Sequence, residues 1–124
     1  MADFSFSSTS VSIKSLPESL EYIGAYAFST LNEKSTISEI PANVNFIGSK
    51  AFNGSAIIPE DKELLFSNPN IVIAQPGEIN GYYEDAFSGL NGQYEKFIFT
   101  STISKSAAEA SNGFGSGVLA FELN

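Results

Sequence analysis

The chain has 124 residues and a net charge of −8, with 6 Lys, no arginine, 14 Asp and Glu, and no cysteine, histidine or tryptophan. That length suits one ordinary domain, and the missing residue types exclude imidazole bases, thiolate nucleophiles, disulfide frameworks and zinc ribbons. An acidic chain without guanidinium groups has the wrong sign for nucleic acid, whose binding rests on neutralising phosphates, and for an anionic membrane surface. The acidity is uneven: residues 1–59 hold five acids against three lysines, and residues 60–124 hold nine against three. Such an imbalance reads first as a solvated surface and second as a face that attracts a basic partner.

The opening Met1-Ala2-Asp3-Phe4-Ser5-Phe6 has no basic region followed by a long apolar run. The apolar run Ile71-Val72-Ile73-Ala74 is far too short to cross a bilayer of about 30 Å. Neither a signal peptide nor a membrane-inserted segment is expected, and the chain is compatible with a bacterial surface, a virion or the cytoplasm.

In chain order, the first strong signal is an internal repeat. Residues 13–28 align with residues 37–52 at an offset of 24, with Ile, Pro, Ile, Gly, Ala and Phe recurring identically as Ile13/Ile37, Pro17/Pro41, Ile23/Ile47, Gly24/Gly48, Ala27/Ala51 and Phe28/Phe52. A degraded third copy appears when Pro76 is set against Pro17. Ile79 then matches Leu20, Ala86-Phe87 match Ala27-Phe28, and Tyr83 replaces the glycine. Within each unit a short extended segment ends at a proline, which cannot donate to a ladder. A second apolar segment then runs into a glycine turn, and an Ala-Phe pair sets a small residue beside a large ring. Such a unit cannot bury its apolar face alone and must stack on neighbours. Tyr22, Phe28, Phe46, Phe52 and Phe87 are accordingly assigned to the core.

This pattern of Ile-Pro, Ile-Gly and Ala-Phe steps resembles the BspA-like class of leucine-rich repeats. The resemblance covers residues 11–59 well and 72–90 weakly, and it lacks the cysteine or small residue that often follows the Ala-Phe step. It implies a mainly β fold, a short irregular solenoid, with a role in surface attachment or protein–protein contact and no catalytic residues to carry over.

Further along, Ala56-Ile57-Ile58-Pro59 repeats the strand-then-proline signal and predicts another coil. Residues 60–66 predict one or two helical turns with acids in the first turn, broken by Asn68-Pro69-Asn70. Ile71-Val72-Ile73-Ala74 predicts a buried strand. The tail departs from the repeat: residues 94–103 predict a long strand and residues 117–123 a second. Between them, residues 105–111 read as a helical turn or a loop ending in Gly113-Phe114-Gly115-Ser116-Gly117. The whole chain is therefore read as a single domain, residues 1–124, with a repeat region at 11–90 and a C-terminal β-hairpin at 91–124. That hairpin would cap the solenoid or oligomerise it.

Chemistry is sparse. No G-x-S-x-G, S-x-x-K or phosphate-loop pattern occurs, so no catalytic, cofactor-binding or metal-binding residue is assigned. The acid clusters Glu60-Asp61-Lys62-Glu63 and Glu84-Asp85 lack the alternating ligand spacing of a calcium loop. The candidate interface is Tyr82, Tyr83, Glu84 and Asp85, where paired tyrosines stand beside acids, although one of the two tyrosines is as readily a core residue. The expected function is a non-enzymatic interaction or attachment module with a protein partner or with itself, a trimer included. The alternative is a structural subunit of a larger assembly, such as a virion decoration or fibre protein, that oligomerises through its C-terminal hairpin.

Overall fold

A computed structural model describes residues 15–29, 36–54, 61–90 and 94–124. The strand-then-proline segment expected at 56–59 and the leading Ile13 lie outside those residues. The elements run β1 (Tyr22–Ile23), β2 (Glu39–Ile40), β3 (Phe46–Ile47), β4 (Glu63–Phe66), β5 (Ile73–Ala74), β6 (Gly81–Tyr83), β7 (Lys96–Phe99), α1 (Thr102–Ala110) and β8 (Ala120–Leu123). The architecture is mainly β, as expected, and the described residues form two four-stranded sheets ordered β1-β3-β6-β5 and β2-β4-β7-β8. Every pairing in both is parallel.

The repeat alignment reappears as strand register. Tyr22 pairs with Phe46 and Phe46 with Gly81, while Ile23, Ile47 and Tyr82 form the neighbouring row. Behind these strands the Ala-Phe steps stack: Phe28 lies 5.1 Å from Phe52 and Phe52 lies 4.9 Å from Phe87, with rings within 16° and 7° of parallel. The backbone of these steps is laddered as well, through Phe28 N–H to Ala51 O and Phe52 N–H to Ala86 O. Each step thus buries its ring against the next and satisfies the polar backbone that burial would otherwise strand. Phe114 extends the column with its ring edge-on to Phe87 at 5.4 Å.

Three expectations are corrected. The helical turns expected over residues 60–66 do not form in the described part, residues 61–66. Lys62 adopts φ 56°, Asp61 Oδ1 accepts from Glu63 N–H, and β4 follows with Leu64 and Phe66 buried in alternation. Pairing with β2 and β7 on both sides outweighs the local helical tendency. The C-terminal β-hairpin is absent, because β7 and β8 are parallel, with Lys96 opposite Ala120 and Phe99 opposite Leu123. Parallel neighbours need a crossover rather than a tight turn, and α1 lies within it. The long strand expected over 94–103 stops at Phe99 because Ser101 caps α1, its side chain accepting from Ser104 N–H. Ile79, aligned with Leu20, is 75% exposed. Gln75 N–H donates to Glu78 Oε1 and Gly77 N–H to Tyr83 Oη, which folds the 75–80 segment outward and carries Ile79 to the surface.

Four buried side chains are tied to backbone carbonyls. The Tyr82 hydroxyl and Asn68 Nδ2 both donate to Val44 O, at 2.6 and 3.2 Å, and the Tyr94 hydroxyl donates to Ile37 O at 2.8 Å. Ser104 Oγ accepts from Ile71 N–H and donates to Asn68 O, fastening α1 to the corner at 68–71. Burial pushes the phenols of Tyr82 and Tyr94 well above their ordinary value of 10.0. Above pH 10 the unfolded chain releases these protons while the folded chain keeps them, so stability falls as pH rises. Alkaline titration is expected to release tyrosinate from both residues in the same cooperative transition that destroys the circular dichroism signal. Smooth titration of all five tyrosines ahead of unfolding would contradict their burial.

Candidate functional site

In a two-residue strand, neighbouring side chains face opposite sides of the sheet. Ile23, Ile47 and Tyr82 point into the core at 0, 0 and 1% exposure, so Tyr22, Phe46 and Tyr83 stand on the outer face of the first sheet. The Tyr22 and Phe46 rings are stacked at 4.6 Å and 14°, and Tyr83 meets Phe46 edge-on at 5.7 Å. Gly81, in register with Phe46, adds no side chain between them. The assignment of Tyr22 to the core is corrected here, since it is 40% exposed, while Phe46 is covered by its aromatic neighbours.

The 75–80 segment rises beside this stripe and makes a groove of about 300 Å³. Its floor is Tyr22, Phe46 and Tyr83, one wall is Gly77, Glu78 and Ile79, and Ala25, Gly48 and Ser49 complete the lining. The Tyr83 hydroxyl donates to Glu78 O and accepts from Gly77 N–H, locking wall to floor. Ser49 Oγ donates to Asp85 Oδ2 at 2.8 Å, while Asp85 Oδ1 is buried without a hydrogen-bond partner among the described residues. Glu21, Glu78 and Glu84 are exposed, beside Tyr22, in the wall and beside Tyr83 respectively.

The four residues singled out from the sequence therefore divide. Tyr82 is a core residue and Tyr83 borders the groove. Glu84 accepts from Ser111 Oγ at 3.3 Å, toward the end of α1, and Asp85 holds the lining serine. Sequence reasoning missed Tyr22 and Ile79 as surface groups, whereas Phe46 is buried as expected, on the outer side of the sheet. The signal was present in the adjacent large pairs Tyr22-Ile23 and Phe46-Ile47, of which only one member can face inward. Among the described residues no helix is long and apolar enough to cross a membrane.

Parallel strands at repeated register, an Ala-Phe column and Ile-Gly turns define the class of leucine-rich repeat proteins. The pattern described as BspA type Leucine rich repeat region matches residues 1–111 in 6 copies, and the chain belongs to that family. The match runs past both ends of the 11–90 region and includes α1. No curated protein and no solved structure matches the chain. The family is typically non-enzymatic and serves protein interaction.

Proposed function

We propose that this chain is a single-domain, non-enzymatic protein-interaction module on a short repeat solenoid, and that its contact surface is the outer face of the first sheet. The observation that carries the reading is the stacked Tyr22–Phe46–Tyr83 stripe at the floor of an open groove beside exposed Ile79. Aromatic rings held rigid by stacking lose little side-chain entropy on binding, and tyrosines are enriched among the anchors that dominate interface energies. Tyr83, Glu84 and Asp85 belong to this surface, and Tyr82 supports it from the core side.

The test is a photoreactive phenylalanine analogue placed at position 22, and in a second variant at position 103 on exposed α1, in the cells that express the chain. A discrete protein adduct is expected from position 22 and not from 103. The same adducts from both positions, or none from 22, would remove the assignment.

A further inference from the structure

The groove has an aromatic floor and a carboxylate, Glu78, in its wall, a combination that selects among occupants. Glu78 lines it, Glu21 and Glu84 adjoin its aromatic residues in the chain, and Asp85 is bonded to its Ser49. None of these four carboxylates is in an ion pair among the described residues. Among the described lysines Lys62 pairs with Glu95, Lys96 with Glu122 and Lys105 with Glu109, and Lys50 follows the lining Ser49 in the chain without lining the groove itself. An apolar side chain entering the groove would leave this negative field uncompensated, and an acidic one would be repelled by it. A lysine satisfies both parts, its methylene stem lying along Ile79 and Tyr83 and its ammonium meeting a ring face and Glu78.

Resting on the interface reading above, we propose that the groove between the Tyr22–Phe46–Tyr83 stripe and the 75–80 segment takes a lysine-bearing segment of a partner protein. Charge complementarity sets both selectivity and the rate of encounter. Residue roles divide accordingly: Tyr22, 40% exposed, is the ring the ammonium meets, Phe46 backs it from beneath, Ile79 and Tyr83 hold the stem, and Glu78 supplies the local charge. Glu21 and Glu84 add to the longer-range field, which salt screens first.

The experiment is an NMR titration of the 124-residue chain with three short extended peptides of alternating leucine and serine. They are identical except for a central lysine, trimethyl-lysine or norleucine. The lysine and trimethyl-lysine peptides are expected to shift the ring resonances of Tyr22, Phe46 and Tyr83 saturably, and the neutral norleucine peptide to bind roughly three- to tenfold more weakly. Tyr22→Leu keeps an apolar group and Glu78→Gln keeps an acceptor for Gln75 N–H. Each is expected to weaken the lysine peptide by roughly threefold or more and to leave the norleucine peptide unchanged.

Equal binding of norleucine and lysine would overturn the proposal, as would shifts spread over the acids of α1 and β8 instead of the groove, or no saturable shift at all. These failures are separable from failure of the interface reading. A partner crosslinked at position 22 through a segment without lysine or arginine sinks the cationic occupant and keeps the surface. Absence of any adduct at 22 sinks both.

Discussion

Phe66→Ala is expected to destabilise the fold by about 3 to 5 kcal/mol, the range for emptying a fully buried aromatic site. Phe66 lies on β4 with 0% exposure, and its ring stacks on Phe99 at 4.9 Å and meets Phe97, Phe87 and Phe114 at 5.0, 5.5 and 5.6 Å. It joins the second sheet to the Ala-Phe column, so truncation opens a cavity whose walls belong to several elements and cannot collapse together. A domain of this size is stable by only about 5 to 15 kcal/mol, so the variant would lose a large share of its margin. Urea unfolding followed by circular dichroism should show the midpoint falling with the slope retained. Ile103→Ala, at a residue 66% exposed, should stay within about 0.5 kcal/mol. Equal loss in both variants would mean that the aromatic cluster is not the centre of the core.

Gly48→Ala is the second large effect, and its origin is contact rather than backbone conformation. A Cβ at Gly48 would stand 2.5 Å from Ala25 N and 2.8 Å from Ala25 Cα, with Gly24 C at 3.0 Å. All three are backbone atoms, which cannot swing aside as a side-chain tip can. Relief requires the two repeat units to part, and they are joined there by Gly48 N–H to Ile23 O at 2.8 Å and Tyr26 N–H to Ser49 O at 3.1 Å. Overpacking together with a weakened ladder gives an expected loss of about 2 to 4 kcal/mol. Gly77→Ala is the comparison, because Gly77 has φ +91° and nothing within 4 Å of its added Cβ. It should cost only the strain of that backbone conformation, about 1 to 2 kcal/mol. Thermal melts of the two variants should rank Gly48 as the more damaging. The reverse order would mean that the first two repeat units do not approach this closely.

The recurrence of Ile-Gly and Ala-Phe at an offset of 24 was enough to align β1 with β3 and to place Phe28, Phe52 and Phe87 in one column. Both follow because stacking units must present like residues at like positions. The same alignment carried β6 correctly, with Tyr82 in the row of Ile23 and Ile47. It failed at Ile79, where side-chain contacts within the 75–80 segment turn a residue of apolar character out to solvent. Composition misled in the tail, since the aromatic and β-branched run at 94–103 reads as continuous strand, and no local signal outweighs that reading until Ser101 is seen capping α1.

The site was half legible. Tyr83, Glu84 and Asp85 stand out as tyrosine beside acid, but Tyr22 and Phe46 belong to other repeat units; hydrophobicity places both in the core, which holds for Phe46 and fails for Tyr22. What set their direction was the demand of the core for Ile23 and Ile47, which left the adjacent ring on each two-residue strand facing outward.

The sequence by itself determined the family, the repeat offset, the aromatic column and the excess of acid, because these depend on residue type and spacing within short segments. Only the tertiary structure decided that β7 and β8 run parallel through α1, that β4 is a strand, and that Tyr22, Phe46, Tyr83 and Ile79 meet at one groove. Those outcomes depend on pairing between segments 24 to 35 residues apart, where the burial of a neighbour decides which face of a strand a residue takes.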